Sequence, residues 1–155
     1  MATYDRTVTG GGTVGHPSNA SVPYVITSPV YDAVDNTSLA GDDIVKLIDL
    51  PADTMVIGGC LEVLEASGNG QITLDVGVST DVDSLVDGGG SNSAALIQFN
   101  LKAAGINTVT SANAIQVTVL DGGSSGTTAL RMRVHAVICD ISRNPVESAT
   151  VSTGT

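Results

Sequence analysis

The sequence predicts an all-β protein, an antiparallel β-sandwich or jelly roll with an extended N-terminal arm. Three observations carry that reading. Apolar residues recur at every second position through about seven or eight short segments. Gly, Pro, Asn and Asp punctuate the gaps between those segments. No segment shows the 3.6-residue apolar repeat of an amphipathic helix.

Residues 1–21 are rich in Gly, Thr and Ser, with Gly10-Gly11-Gly12 and Gly15-His16-Pro17. They show no periodicity and read as a flexible arm. Residues 22–146 form the sandwich domain. Val22 to Tyr31 contains Pro23 and Pro29, so it is an edge strand or two short pieces. Ile44 to Leu50 is a strand stopped by Pro51. Thr54 to Glu65 is a long strand with Met55, Ile57, Leu61 and Val63 on one face. Gly58 and Gly59 inside it mark a bulge or a close backbone approach.

Ser67-Gly68-Asn69-Gly70 carries Asn-Gly, which tolerates positive φ at both central positions of a hairpin turn. It is expected to join that strand to Gln71–Val78, where Ile72, Leu74, Val76 and Val78 alternate with polar residues and glycine. Ser79 to Val86 reads as a short helical turn capped by Thr80 or Asp81. Asp87-Gly88-Gly89-Gly90-Ser91 reads as a loop. Ala95, Ile97, Phe99 and Leu101 alternate, as do Ile115, Val117 and Val119. The last strand runs from about Thr127 to Ile141, with Leu130, Met132, Val134, Ala136 and Ile138 on one face, and Asn144-Pro145 stops it. Residues 147–155 are a flexible Ser/Thr tail.

Composition narrows the function. Net charge is −10, with 6 Lys and Arg against 16 Asp and Glu. Phosphate contacts need clustered cations, so no nucleic acid is expected as a partner. No run of roughly 18 apolar residues exists, so no membrane-spanning helix is expected. Aromatics are 3% and Trp is absent. The core must therefore be aliphatic and thin, since aromatics bury the most area per residue. Such a core gains from association with further copies. The N-terminus lacks a basic segment followed by an apolar one, so it does not read as a secretory signal. Synthesis in a reducing cytoplasm follows.

The constellations that could carry chemistry are weak. Asp75, Asp81, Asp83 and Asp87 offer oxygen ligands for calcium, but their spacing fails the EF-hand pattern, and capping and solvation account for them. His16 and His135 have no G-x-S-x-G nucleophile elbow to serve. The glycine runs match neither phosphate-binding pattern. Cys60 and Cys139 lack the C-x-x-C spacing of a metal site and read as reduced, half-buried thiols, with one cross-strand disulfide as the alternative. No catalytic residue, metal or cofactor is expected. Arg131, Arg133 and His135 fall on one strand face at period two. They meet carboxylates of a neighbouring subunit, or pair within the chain with Glu62 or Glu65; the second reading weighs more.

Residues 49–88 resemble a recurring segment of tailed-bacteriophage virion proteins. The matching pieces are Leu50-Pro51-Ala52-Asp53-Thr54, Leu74-Asp75-Val76-Gly77 and Asp81-Val82-Asp83-Ser84-Leu85. Val82 stands where Pro is common, and Leu85 where an aromatic is. The segment spans about a quarter of the chain. The resemblance implies a capsid decoration (cement) protein, trimeric on the outer capsid surface, with the major capsid protein as partner and no enzymatic activity. Candidate contacts are then Tyr4, Arg6, Val8 and His16 in the arm, and the row Arg131, Arg133 and His135. The alternative is a receptor- or glycan-binding head of a phage fibre, disfavoured by the scarcity of aromatics for stacking on sugars.

Overall fold

A computed structural model describes residues 3–8, 23–36, 39–68, 72–101, 107–109, 111–121, 127 and 129–141. Its elements are all strands: β1 Thr3–Val8, β2 Tyr24–Thr27, β3 Tyr31–Asp32, β4 Ile44–Leu50, β5 Thr54–Glu65, β6 Ile72–Val78, β7 Asp81–Gly90, β8 Ala95–Gln98, β9 Asn107–Val109, β10 Asn113–Asp121 and β11 Arg131–Asp140. One sheet, called A, has the order β1-β4-β10-β6-β7. The second, B, has the order β2-β11-β5-β8, with β3 also on β11 and β9 also on β5. All pairings are antiparallel except β1 with β4.

The sheets bury one aliphatic core between them. Val45, Leu47 and Ile48 of β4, Leu74 and Val76 of β6, and Ile115, Val117 and Val119 of β10 come from sheet A. Val56, Leu61 and Val63 of β5 and Met132, Val134, Ala136 and Ile138 of β11 come from sheet B. Tyr31 is the one fully buried aromatic among the described residues, and Phe99 packs against the core from its margin. The period-two stripe predicted for the last strand is the stripe that is buried.

Four expectations need correction. The first concerns the joint at residues 66–71. β5 lies in sheet B and β6 in sheet A, so the joint is a crossover between sheets and not a hairpin. Residues 69–71 lie outside the described ones. The corner before them is fixed by a buried hydroxyl cluster. Ser67 N donates to Ser91 O at 2.9 Å, Ser91 Oγ donates to Ile72 O at 2.8 Å and lies 3.0 Å from Ser67 Oγ, and Thr127 Oγ1 donates to Ser67 O at 2.5 Å. These contacts come from far along the chain, which a local turn rule cannot see.

The second correction is to Ser79–Ser91. No helical turn forms there. Val78 pairs directly with Asp81, so Ser79 and Thr80 make a tight hairpin turn, and the strand runs through the glycines to Gly90. Leu85 and Val86 are buried, and a Cβ at Gly89 would lie 2.9 Å from Val86 Cγ1. Glycine is there because the strand needs room, not because a loop needs freedom.

The third correction is to the face of β5. Val137 pairs with Gly58, but Ile138 pairs with Val56, so Ile57 is an extra residue. This is the bulge that Gly58 and Gly59 predicted. It reverses the alternation that follows from a regular strand. Val56 is therefore buried, and Met55 and Ile57 are only half-buried.

The fourth concerns the arm. Thr3–Val8 is a strand on the edge of sheet A, with Thr3 opposite Ile44 and Val8 opposite Ile48. Its Thr, Tyr and Val residues favour pleated backbone, and β4 offers an open edge. The remainder of the arm (9–21) and the tail (147–155) lie outside the described residues. The other expectations for β2 with β3, β4, β8 and β10 match the observed strands, with β8 ending at Gln98.

Candidate functional site

The polar cluster that the sequence singled out sits on the outer face of sheet B. Even-numbered residues of β11 point into the core, so Arg131, Arg133 and His135 point out. Register then fixes their neighbours. Arg133 lies opposite Glu62, His135 opposite Cys60 on one side and Thr27 on the other, and Arg131 opposite Asp32 and Glu65.

Glu62 is the hub. Its Oε2 accepts a hydrogen bond from Arg133 Nε and one of 2.9 Å from His135 Nε2. The hydrogen bond from Arg133, followed by that from His135, holds the Glu62 carboxyl below the usual carboxylate range. An ionised carboxylate only accepts, so His135 donates through Nε2. In the neutral ring Nδ1 is then an acceptor, and Thr27 Oγ1 donates to it at 2.9 Å. Arg131 Nε makes a 2.9 Å ion pair with Asp32, with Glu65 at 3.9 Å. The row thus pairs inside the chain with Glu62 and Glu65. Asp32 was missed because β3 is two residues long and gives no alternation to read.

Thr27, His135 and Glu62 form a hydroxyl–imidazole–carboxylate chain, the order of groups in acyl-transfer sites. The setting differs. The three side chains lie across neighbouring strands of an open sheet face, Thr27 is exposed, and Arg133 neutralises the carboxylate. What the chain does is tie β2, β11 and β5 together.

Of the other singled-out residues, Tyr4, Arg6 and Val8 are carried by β1 at the edge of sheet A. His16 lies outside the described residues. Asp75 is buried on β6 and accepts from Gly88 N at 2.7 Å, whereas Asp81, Asp83 and Asp87 lie on β7. Among the described residues no three acidic, His or Cys side chains group as a metal site requires. Cys60 and Cys139 are free thiols. Cys60 is level with His135, four positions from Cys139 along β11. That is roughly 13 Å at the rise of a strand, beyond disulfide reach. Burial, and then the charge of Glu62, push the Cys60 thiol up. Tyr24 is likewise raised by burial, then by Asp140 and Cys139.

The exposed apolar side chains are the feature that sequence reading did not single out. Among the described residues the large ones are Val25, Val30, Val34, Val82 and Leu96. Val25 is on β2, Val30 lies just before β3, Val34 is in the turn after β3, and Leu96 is on β8.

No family model matches the sequence, and no curated protein matches it. Solved structures do match. A chain in the capsid of Ralstonia phage GP4 superposes with a TM-score of 0.67 at 18% identity, over 90% of this chain and 98% of that one. The chain shares its fold with a chain of a phage capsid. A chain of the acid-stable capsid of Helicobacter pylori bacteriophage KHP30 gives 0.53 at 12% identity, covering 78% of this chain and 90% of that one. A chain of the cyanophage Pam1 capsid asymmetric unit gives 0.53 at 19%, over 77% and 86%.

Proposed function

We propose that this chain is a structural protein of a phage head, a decoration (cement) protein that binds the outer capsid lattice as a homotrimer and stabilises the shell. The observation that carries the reading is the likeness to the chain in the Ralstonia phage GP4 capsid, which runs over 98% of that chain. The virion-like segment at residues 49–88 supports the same reading from sequence. So does the division of the longer strands into β2-β11-β5-β8 and β4-β10-β6-β7, which we read as a jelly roll. The role is structural: the His135 cluster braces a sheet and needs no substrate. The partners are further copies and the major capsid protein. The candidate lattice contacts are the β1 edge with Tyr4, Arg6 and Val8, together with His16. Binding to the lattice stabilises the bound state by mass action.

The test is co-sedimentation of the purified chain with undecorated heads of the phage that encodes it, followed by thermal melting of the heads. Saturable binding with a raised head melting temperature is expected. No binding to heads, or binding to host-surface glycans in its place, overturns the proposal.

A further inference from the structure

Sheet B ends at β2 with β3 on one side and at β8 with β9 on the other. Among the described residues neither β2 nor β8 has a strand on its outer side. An open edge presents unpaired N–H and C=O groups to any strand that approaches. Proteins that must stay single blunt such edges with charge, proline or bulges. Sheet A follows that rule: β1 carries Asp5 and Arg6, and β7 carries Asp81, Asp83 and Asp87. Sheet B has no charge on its edge strands: β2 reads YVIT, with Pro23 and Pro29 outside it on either side, and β8 reads ALIQ, on a chain of net charge −10.

The exposed apolar side chains gather at the same two places. Val25 is 66% exposed, Val34 66% and Val30 40%, all along the β2–β3 edge, and Leu96 on β8 is 65% exposed. Only Val82 of the five lies elsewhere. Val25 is opposite Val137, and Leu96 is opposite Glu62, which faces Arg133. Both therefore stand on the outer face of sheet B.

Strand direction says which occupant fits. β2 to β11, β11 to β5 and β5 to β8 are each antiparallel. Across four strands that alternate, the two edge strands run in opposite directions. If a second copy is placed beside the first with its strands in the same sense, its β2 meets β8 of the first antiparallel. The alternation continues without a break, and Val25 and Leu96 come onto one shared face. Each copy keeps one edge free for the next, so the contact is head-to-tail and closes by rotation.

We propose that copies of this chain associate head-to-tail, with β2 of one copy pairing antiparallel with β8 of the next, so that sheet B runs continuously around the assembly. The ring of three rests on the homotrimer reading above; the edge pairing is tested on the chain alone, so its failure leaves binding to heads untouched.

The experiment measures the mass of the full chain in solution by native mass spectrometry and light scattering across concentration. Three variants are compared with it: Val25→Glu, Leu96→Glu and, as a control on sheet A, Val82→Glu. The three positions are exposed, and thermal melting checks that each variant folds. Three times the single-chain mass of 15.6 kDa is expected for the wild type and for Val82→Glu. Val25→Glu and Leu96→Glu each reduce it to one chain. An equimolar mixture of these two restores a 1:1 dimer, because one intact β8 meets one intact β2. A wild type that stays a single chain overturns the proposal. So does a dimer broken by Leu96→Glu alone, which would mean β8 pairing with β8, or a mixture that stays monomeric.

Discussion

Glu62 and His135 sit on adjacent strands, 2.9 Å apart through Oε2 and Nε2, and the same carboxylate oxygen also receives Arg133. One acceptor thus serves two donors of β11, while Thr27 holds the far side of the imidazole. This makes Glu62 the group whose titration the fold feels on sheet B. Its carboxyl is held below the ordinary value of 4.5. A depressed carboxyl adds stability above its unfolded pKa and loses it as pH falls through the folded one. Glu62→Gln should therefore lower the denaturant midpoint slightly at pH 7. The variant and the wild type should converge in acid, below the usual Glu range. A gap that is unchanged by acidification contradicts this account.

Gly59 is under close constraint from two sides. Its φ is +146°, and a Cβ there would lie 2.2 Å from His135 O and 2.6 Å from the Phe99 ring. Neither neighbour can retreat, since one is the backbone of β11 and the other packs at the core margin. Gly59→Ala should cost about 2–4 kcal/mol, read from urea unfolding. Gly90, with nothing within 4 Å of a Cβ, is the control. Gly90→Ala should be neutral or stabilising by about 0.5 kcal/mol, because alanine restricts the unfolded chain more than glycine does.

Thr118 is buried in β10, and its Oγ1 has no hydrogen-bond partner among the described residues. A buried hydroxyl that gains no partner carries its desolvation cost without return. Thr118→Val keeps the branched shape and removes that cost, so it should raise stability by about 1 kcal/mol. A calorimetric melt checks it, and a lowered melting temperature would point to a partner for the hydroxyl.

Thr127 is the converse case. It is buried and donates to Ser67 O at 2.5 Å, closing the corner where the chain leaves sheet B for sheet A. Thr127→Val leaves that carbonyl without its donor and should destabilise by roughly 1–3 kcal/mol. Hydrogen exchange should quicken first at Ser67 N and Leu39 N, which bond to Ser91 O and Thr127 O.

Much of this molecule is legible in its sequence, and the residues show why. Period-two stripes at Ile115–Val119 and Leu130–Ile138 name buried faces because a strand's two sides are set by parity alone. The same parity misplaces Met55 and Ile57, since a single extra residue reverses it. The Asn-Gly pair reads as a hairpin because turn chemistry is local, while the choice of sheet is made by Ser91 and Thr127, well beyond any turn window. The row at Arg131, Arg133 and His135 was readable, with Glu62 and Glu65 as partners, because cross-strand charge pairing follows from alternation. Val25 and Leu96 were not, because an apolar residue in a strand looks the same whether its far side is covered or open.

Two inner strands that hold the sheets together come late in the chain. β10 stands between β4 and β6, and β11 between β2 and β5. A ribosome that has released only the first hundred residues has therefore made the pairs β1–β4, β5–β8 and β6–β7, but neither of the strands that join them to the rest of their sheets. The sides of β4 and β6 that face β10, and of β2 and β5 that face β11, must wait without a neighbour until the final third arrives. Folding is then a late and concerted event dominated by contacts between distant residues, and the nascent chain passes through a long interval when its edges are open to one another.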